Sequence, residues 1–341
     1  MTERWLVTGG CGFIGANLMR SLLVARPGTA VRIVDDLSSA GIEHLRDLCQ
    51  PDVRTAVAPA DLGPVPGVGV QVVAGDVTDP ALAEAAAAGA DVIVHLAART
   101  SMEASVADPL GDCRTNVIGT LNYLEAARKN GVRRFVYPFS GAPSDRWLPE
   151  SADTSIVARP FSPNGASKLA GAGYCAAYAQ CYGLETVGLR FQNLYGPASS
   201  HKSSVIARFV RRALAGEVIE IFGDGQQTRD FLFIDDLVEA IRRAAVVDGL
   251  SGTFLEVATN VETTVGEVVD KIVGLLARAG VRDLQVCHTG PRLPDVRRNT
   301  ADIETTARVL GWTPAVDLSE GLRRTVAWFV ARDATVRTAA E

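Results

Sequence analysis

With 341 residues, 47% of them hydrophobic and 21% charged, the chain is long enough to bury a sizeable core, as one large domain with a smaller appendage or as two domains. A net charge of −5 argues against a nucleic-acid binder, and the pairs Arg211-Arg212 and Arg297-Arg298 are too short to build a basic face. No apolar run is long enough for a membrane span, and Met1 leads straight into the strand-like Trp5-Leu6-Val7 without room for a signal peptide, so a cytoplasmic location is expected.

In chain order, short β-branched runs at residues 5–7, 31–34, 70–74, 91–96, 134–137 and 186–189 alternate with alanine-rich helical stretches. Apolar runs of this length, spaced by helices, predict a buried parallel sheet wound on both faces. Residues 50–69, rich in Pro and Gly, read as a surface insertion before the third strand. After Arg190 the alternation becomes irregular, and helices predicted near 205–214, 234–245, 265–279 and 318–329 suggest a second, smaller lobe. The expected architecture is therefore α/β, a Rossmann-type doubly wound parallel sheet over residues 1–190, with some later segments returning to it, and a smaller C-terminal substrate-binding lobe over 191–341.

The strongest local signal follows the first strand. Thr8-Gly9-Gly10-Cys11-Gly12-Phe13-Ile14-Gly15 is a glycine-rich turn that opens a helix. Gly9 is expected to permit the tight turn, Gly12 to let the backbone approach a pyrophosphate, and Gly15 to let helix pack on strand, with the phosphates at the helix N-terminus. Asp35 and Asp36 stand about twenty residues on, at the end of the second strand, where an acid accepts from ribose hydroxyls and repels a 2′-phosphate; NAD is thus favoured over NADP. The six cysteines form no Cys-x-x-Cys pair and the four histidines show no metal-ligand spacing, so no metal is expected.

These motifs and several others resemble the extended short-chain dehydrogenases of the nucleotide-sugar epimerase and dehydratase family, over essentially the whole length. The matches include Gly9-x-x-Gly12-x-x-Gly15, Gly75-Asp76-Val77, His95-Leu96-Ala97-Ala98, Asn116 in Thr115-Asn116-Val117-Ile118-Gly119-Thr120, and Leu189-Arg190-Phe191-Gln192-Asn193-Leu194-Tyr195-Gly196-Pro197. They continue through Gly223-Asp224-Gly225-Gln226-Gln227-Thr228-Arg229-Asp230-Phe231, Asp295-Val296 to Ala301-Asp302, and Leu310-Gly311-Trp312-Thr313-Pro314. The resemblance implies an NAD site built from Gly9, Gly12, Phe13, Ile14, Gly15, Asp35, Asp36, Asp76, Val77, Leu96, Ala97, Ala98, Asn116 and Lys168. Asp76 would lie by the adenine, and Ala97 and Ala98 would flank the cofactor. A nucleotide-diphosphate sugar is implied as substrate, with Asn193, Arg229 and Arg292 on the diphosphate and Asp295 near the nucleoside ribose. A homodimer through helices at about 112–129 and 167–182 is also implied. The small residues Ala170, Gly171, Ala172, Gly173, Ala176 and Ala177 permit close helix approach there, as they would in a packed interior helix.

The family's catalytic pair is a Tyr and a Lys four residues later on one helix face. In Ser162-Pro163-Asn164-Gly165-Ala166-Ser167-Lys168 the Lys168 is present and an amide, Asn164, stands at the tyrosine position. Asn164 orients a hydroxyl or a water but does not ionise in a useful range. After the strand at 134–137, relatives read a run of Ser or Thr followed by Tyr-Gly, whereas this chain reads Pro138-Phe139-Ser140-Gly141-Ala142-Pro143-Ser144-Asp145. Ser140 falls on the catalytic hydroxyl position, while Gly141 and Ala142 replace the acids that dehydrating and decarboxylating relatives carry. The expected catalytic set is Ser140, Asn164 and Lys168, with a bound water relaying the proton, or with Glu103 in Arg99-Thr100-Ser101-Met102-Glu103 as a base from the neighbouring loop; a helix-start role for Glu103 is the plainer alternative. The function expected is an NAD-dependent nucleotide-sugar epimerase working through a keto intermediate at carbon 4. Alternatives are a catalytically silent binder of NAD and a nucleotide sugar, or a specialised nucleotide-sugar dehydratase or oxidoreductase of secondary metabolism.

Overall fold

The computed structural model describes residues 3–140, 160–290, 298 and 300–340, with side chains as far as residue 334. Its strands are β1 (Arg4–Thr8), β2 (Ala30–Asp35), β3 (Asp52–Arg54), β4 (Val70–Ala74), β5 (Val92–His95), β6 (Arg134–Ser140), β7 (Glu185–Phe191), β8 (Ile219–Phe222), β9 (Thr228–Arg229), β10 (Thr253–Val257), β11 (Thr263–Thr264) and β12 (Val286–Thr289). Eight of them form one sheet in the order β10-β7-β6-β5-β1-β2-β4-β3. The pairs β1–β2, β1–β5, β2–β4, β3–β4 and β5–β6 are parallel. The α/β expectation holds, because strands buried on both faces read as unbroken apolar runs.

On one face of the sheet lie α3 (Pro80–Ala87), α6 (Gly119–Lys129) and α7 (Pro163–Tyr182), whose Leu82, Tyr123, Leu124, Ala172 and Cys175 share a core with Val73, Ile93 and Phe135 of the strands. The preceding helix α1 (Phe13–Ala25) buries Leu18, Met19 and Leu22. Two short helices, α4 (Met102–Ala107) and α5 (Pro109–Cys113), lead into a five-residue π-helical segment, Arg114–Ile118, that continues directly into α6. The chain divides into two compact units, residues 1–190 with 241–255, and residues 191–240 with 256–341. The second unit contains α8 (Val205–Leu214), α10 (Val265–Arg278), the two-stranded pairs β8–β12 and β9–β11, and the C-terminal α12 (Leu318–Ala340).

The stretch 50–69 departs from expectation. It supplies the edge strand β3 and sinks Leu62 and Val65 into the core, at 6% and 3% exposure. The tether is Arg32 of β2, fully buried, which donates to the carbonyls of Leu62 (3.1 Å), Gly63 (3.1 Å), Pro64 (2.9 Å) and Ala86 (3.1 Å) and to Gln71 Oε1 (2.8 Å). No carboxylate is among these partners, and burial lowers the Arg32 pKa to about 10.

Candidate active site

The strand order reverses about β1, which lies between β2 and β5, so a crevice opens beyond the carboxyl ends of β1 and β5. Thr8 and His95, the last residues of those strands, are in register. Into this crevice run the glycine loop after Thr8 and the segment 96–101 after His95.

The glycines of the loop are glycine for different reasons. Gly9 stands at φ +66°, and a Cβ there would lie 2.7 Å from Ala97 N; at Gly15 it would run into the Gly10 backbone. The close packing at Gly15 is thus helix against loop, not the helix against strand expected from sequence. Gly12 has ordinary extended backbone (φ −72°, ψ −178°), and a Cβ on it would meet only the Gly9 carbonyl oxygen, at 3.3 Å. It opens α1, whose first turn carries no acid and no capping side chain, so the amide groups there are left to a ligand. Space above Gly12 and uncapped N–H groups fit the pyrophosphate of a dinucleotide.

Asp35 supports this loop from β2. It is 8% exposed; its Oδ2 accepts from Cys11 N and its Oδ1 from Leu37 N, both at 2.9 Å. Burial raises its pKa, against the lowering effect of those two amides. Asp36 is exposed and accepts from Ser38 N and Ser38 Oγ. Of the remaining residues expected at the cofactor, Asp76 is exposed and accepts from Thr78 N (2.8 Å), Val77 is buried under Gly119, and Leu96, Ala97 and Ala98 line the start of the β5 loop, half-buried.

Thr8 and His95 hold that second loop. Thr8 Oγ1 accepts from Leu96 N and Ala97 N (3.1 Å each), so its own hydrogen goes to His95 Nδ1 at 2.9 Å and the imidazole proton is assigned to Nε2. His95 lies against the rings of Tyr123, Phe135 and Tyr137. Its pKa is lowered to about 3, first by burial and then by the Lys168 cation, so it is a neutral structural group at physiological pH.

The catalytic positions expected from sequence are on two elements. Ser140 closes β6, half-buried. Asn164 and Lys168 lie one turn apart on α7, at 9% and 7% exposure, on a helix started by Pro163 and capped by Ser162 Oγ, which accepts from Gly165 N (3.1 Å). Sequence reading missed what surrounds Asn164. Its Nδ2 donates to the Arg99 carbonyl (2.7 Å) and to Asp112 Oδ1 (2.9 Å), and its backbone N–H donates to Ser105 Oγ (3.2 Å). Asp112 is fully buried, and its Oδ2 accepts from Ser167 Oγ at 2.6 Å. Asn116, in the π-helical segment, closes the network: its Oδ1 accepts from Arg99 N (2.8 Å), and its Nδ2 donates to the Arg99 carbonyl (3.1 Å) and to Ser167 Oγ (2.9 Å). Asn116 therefore clamps the β5 loop onto α7. Glu103, considered as a substitute base, is exposed in the first turn of α4, where Ser101 Oγ donates to it; this geometry is that of a helix-start acid.

Of the residues expected on the nucleotide sugar, Asn193 and Arg229 lie in the second unit. Asn193 stands at φ +42° and its Nδ2 donates to the Asp230 carbonyl (3.2 Å), while Arg229, half-buried in β9, donates to the Thr228 carbonyl (2.7 Å). The Asp230 carboxylate is buried and accepts from Thr259 N, Thr259 Oγ1 and Asn260 N. Trp312 of the terminal motif is a core residue, donating from Nε1 to the Asp236 carbonyl at 3.0 Å. Arg292, Asp295, Gly141 and Ala142 lie outside the described residues. Among the described residues no three His, Cys, Asp or Glu side chains gather as a metal site, and no helix is long and apolar enough to cross a membrane.

A model of the NAD dependent epimerase/dehydratase family matches residues 5–255. The chain belongs to that family. The chain is 38% identical over 334 residues to a UDP-glucose 4-epimerase of Mycolicibacterium smegmatis, covering 96% of this chain and 98% of the relative. It is 32% identical over 332 residues to a dTDP-glucose 4,6-dehydratase of Streptomyces griseus, covering 96% and 94%. Among solved structures, UDP-glucose 4-epimerase of Thermotoga maritima with UDP-glucose superposes with a TM-score of 0.80 at 30% identity, covering 99% of this chain and all of that one. NAD is the cofactor of the epimerase/dehydratase family, and the glycine loop described above is built to receive it.

Proposed function

We propose that this epimerase/dehydratase is a nucleotide-sugar 4-epimerase, which removes hydride from one sugar carbon and returns it to the opposite face. The observation that carries this reading is the end-to-end similarity to a UDP-glucose 4-epimerase. Bound NAD supplies the hydride acceptor. Lys168 would contribute a buried positive charge to the cofactor site, and Ser140 and Asn164 would orient the reacting hydroxyl. With no ionisable group on Asn164, the bound alcohol would turn its hydrogen from Asn164 to a water held by Ser140 and Lys168, which passes the proton on to solvent. Asn193, Arg229, Arg292 and Asp295 grip the nucleotide diphosphate in this reading. A second reading, a silent binder of NAD and a nucleotide sugar, is favoured by the same amide at residue 164.

Incubation of the NAD-loaded protein with UDP-, GDP- and dTDP-sugars, read by inversion at the sugar carbon, separates the two. Inversion with one of them supports the epimerase; tight binding across the panel without turnover establishes the binder.

The functional unit is proposed to be a homodimer in the cytoplasm. Met102, Val106, Leu110, Ile118, Tyr174 and Tyr182, on neighbouring helical segments of the first unit, are large apolar side chains 40–69% exposed, and all six cysteines are free thiols, as in a reducing compartment.

A further inference from the structure

The Asn164 amide is fixed in one orientation. Its two hydrogens point at the Arg99 carbonyl and at the Asp112 carboxylate, both pure acceptors. A flipped amide would set its oxygen against two oxygens, so the network assigns the nitrogen to that side. The remaining polar atom, the carbonyl oxygen, has no partner among the described residues. Asp112 is itself fixed, fully buried, by Ser167 Oγ on its other oxygen. A carboxyl oxygen accepting from the amide also polarises it, strengthening the carbonyl as an acceptor.

We propose that Asp112 is a positioning residue that, with the Arg99 carbonyl, makes Asn164 an obligate hydrogen-bond acceptor towards the substrate, so that the site selects a hydroxyl over a ketone at the reacting carbon. This rests on the epimerase reading for the identity of the ligand. A tyrosine hydroxyl both donates and accepts, and so receives an alcohol and a carbonyl alike. The fixed amide of Asn164 receives the alcohol and opposes the carbonyl. The keto intermediate is then held less well than either alcohol, and the alcohol is the form captured from solution.

The test has a ligand arm and a ligand-free arm. In calorimetric titration of the NAD-loaded protein, UDP-glucose is expected to bind about tenfold tighter than its 4-keto analogue, the worth of one hydrogen bond with a poorly matched alternative. In Asn164→Leu the preference collapses to about twofold or less while UDP alone binds as before. Should that variant not fold, Asn164→Ser, which retains a donor and lacks the carbonyl, gives the same comparison. A retained preference in the folded variant overturns the proposal. In the ligand-free arm, the Asn164 side-chain N–H signals exchange slowly with solvent in the wild type and faster in Asp112→Leu; equal exchange removes Asp112 from the role. Failure of any UDP-sugar to bind the wild type counts against the epimerase reading and overturns the hydroxyl selectivity with it, while the exchange arm still decides the fixing of Asn164.

Discussion

At the scale of single residues, three positions have separable consequences. Gly12→Ala adds a methyl group where the protein offers almost no obstacle, so the melting temperature should change little while NAD affinity falls tenfold or more, by about 1.4 kcal/mol, in a binding titration. Gly9→Ala places a Cβ against the Ala97 backbone at a positive φ and should instead lower stability. Asn164→Tyr puts an ionisable phenol one turn before Lys168. Turnover is expected to rise by about two orders of magnitude, the usual worth of a general base, with a new acidic limb in the pH–rate profile as the rate climbs with ionisation of the phenol. An unchanged rate would mean that proton transfer at residue 164 does not limit the reaction.

At the scale of elements, Arg32 joins three segments that are distant in sequence: β2, the 62–64 turn and the end of α3. Arg32→Met keeps the apolar stem and strips several buried carbonyls of their donor. The urea midpoint should fall by the equivalent of about 3 kcal/mol, with β3 and the 59–65 turn the first to lose amide protection in hydrogen exchange. This junction also explains what the sequence hid. Asp52-Val53-Arg54 is too short and too exposed to show a strand's alternation, and a charged residue inside β2 gives no hint that its partners are carbonyls 30 to 54 positions away. The glycine loop, by contrast, was legible because strand, turn, helix and acid are consecutive. Asn164 and Lys168 were legible for the same reason, being one helical turn apart. Asp112 was not: in Asp108-Pro109-Leu110-Gly111-Asp112 it reads as an acid of a short surface helix, and only the packing of α5 on α7 brings it to Asn164, 52 positions on.

At the scale of the whole molecule, acid should act through the core as well as the surface. His95 stays neutral in the native state down to about pH 3, whereas an unfolded imidazole takes a proton near pH 6.5. The unfolded chain therefore binds the extra proton between those values, and stability should fall as pH drops through that window. His95→Gln should flatten that part of the profile in thermal melts at pH 4–7; an unaltered slope would place the titrating group elsewhere. The exposed apolar residues on α5 and α7 carry a second expectation. Leu110→Glu with Tyr174→Glu should convert a dimer to a monomer in light scattering and leave the NAD affinity of the first unit intact.

The support of the glycine loop by Asp35 has a thermodynamic consequence. Gly9 N–H donates to the Val34 carbonyl (2.8 Å), Gly12 N–H to the Gly9 carbonyl (3.2 Å) and Cys11 N–H to the Asp35 carboxylate, so the turn is shaped by the protein's own bonds. Each residue ordered only on binding would cost about 1–2 kcal/mol of conformational entropy. A loop already ordered incurs little of this, and the free energy of its contacts with the pyrophosphate goes into affinity and slow release. For a chemistry in which the same dinucleotide first takes and then gives back a hydride, a cofactor that does not leave between the two steps is the condition for turnover without a second oxidant.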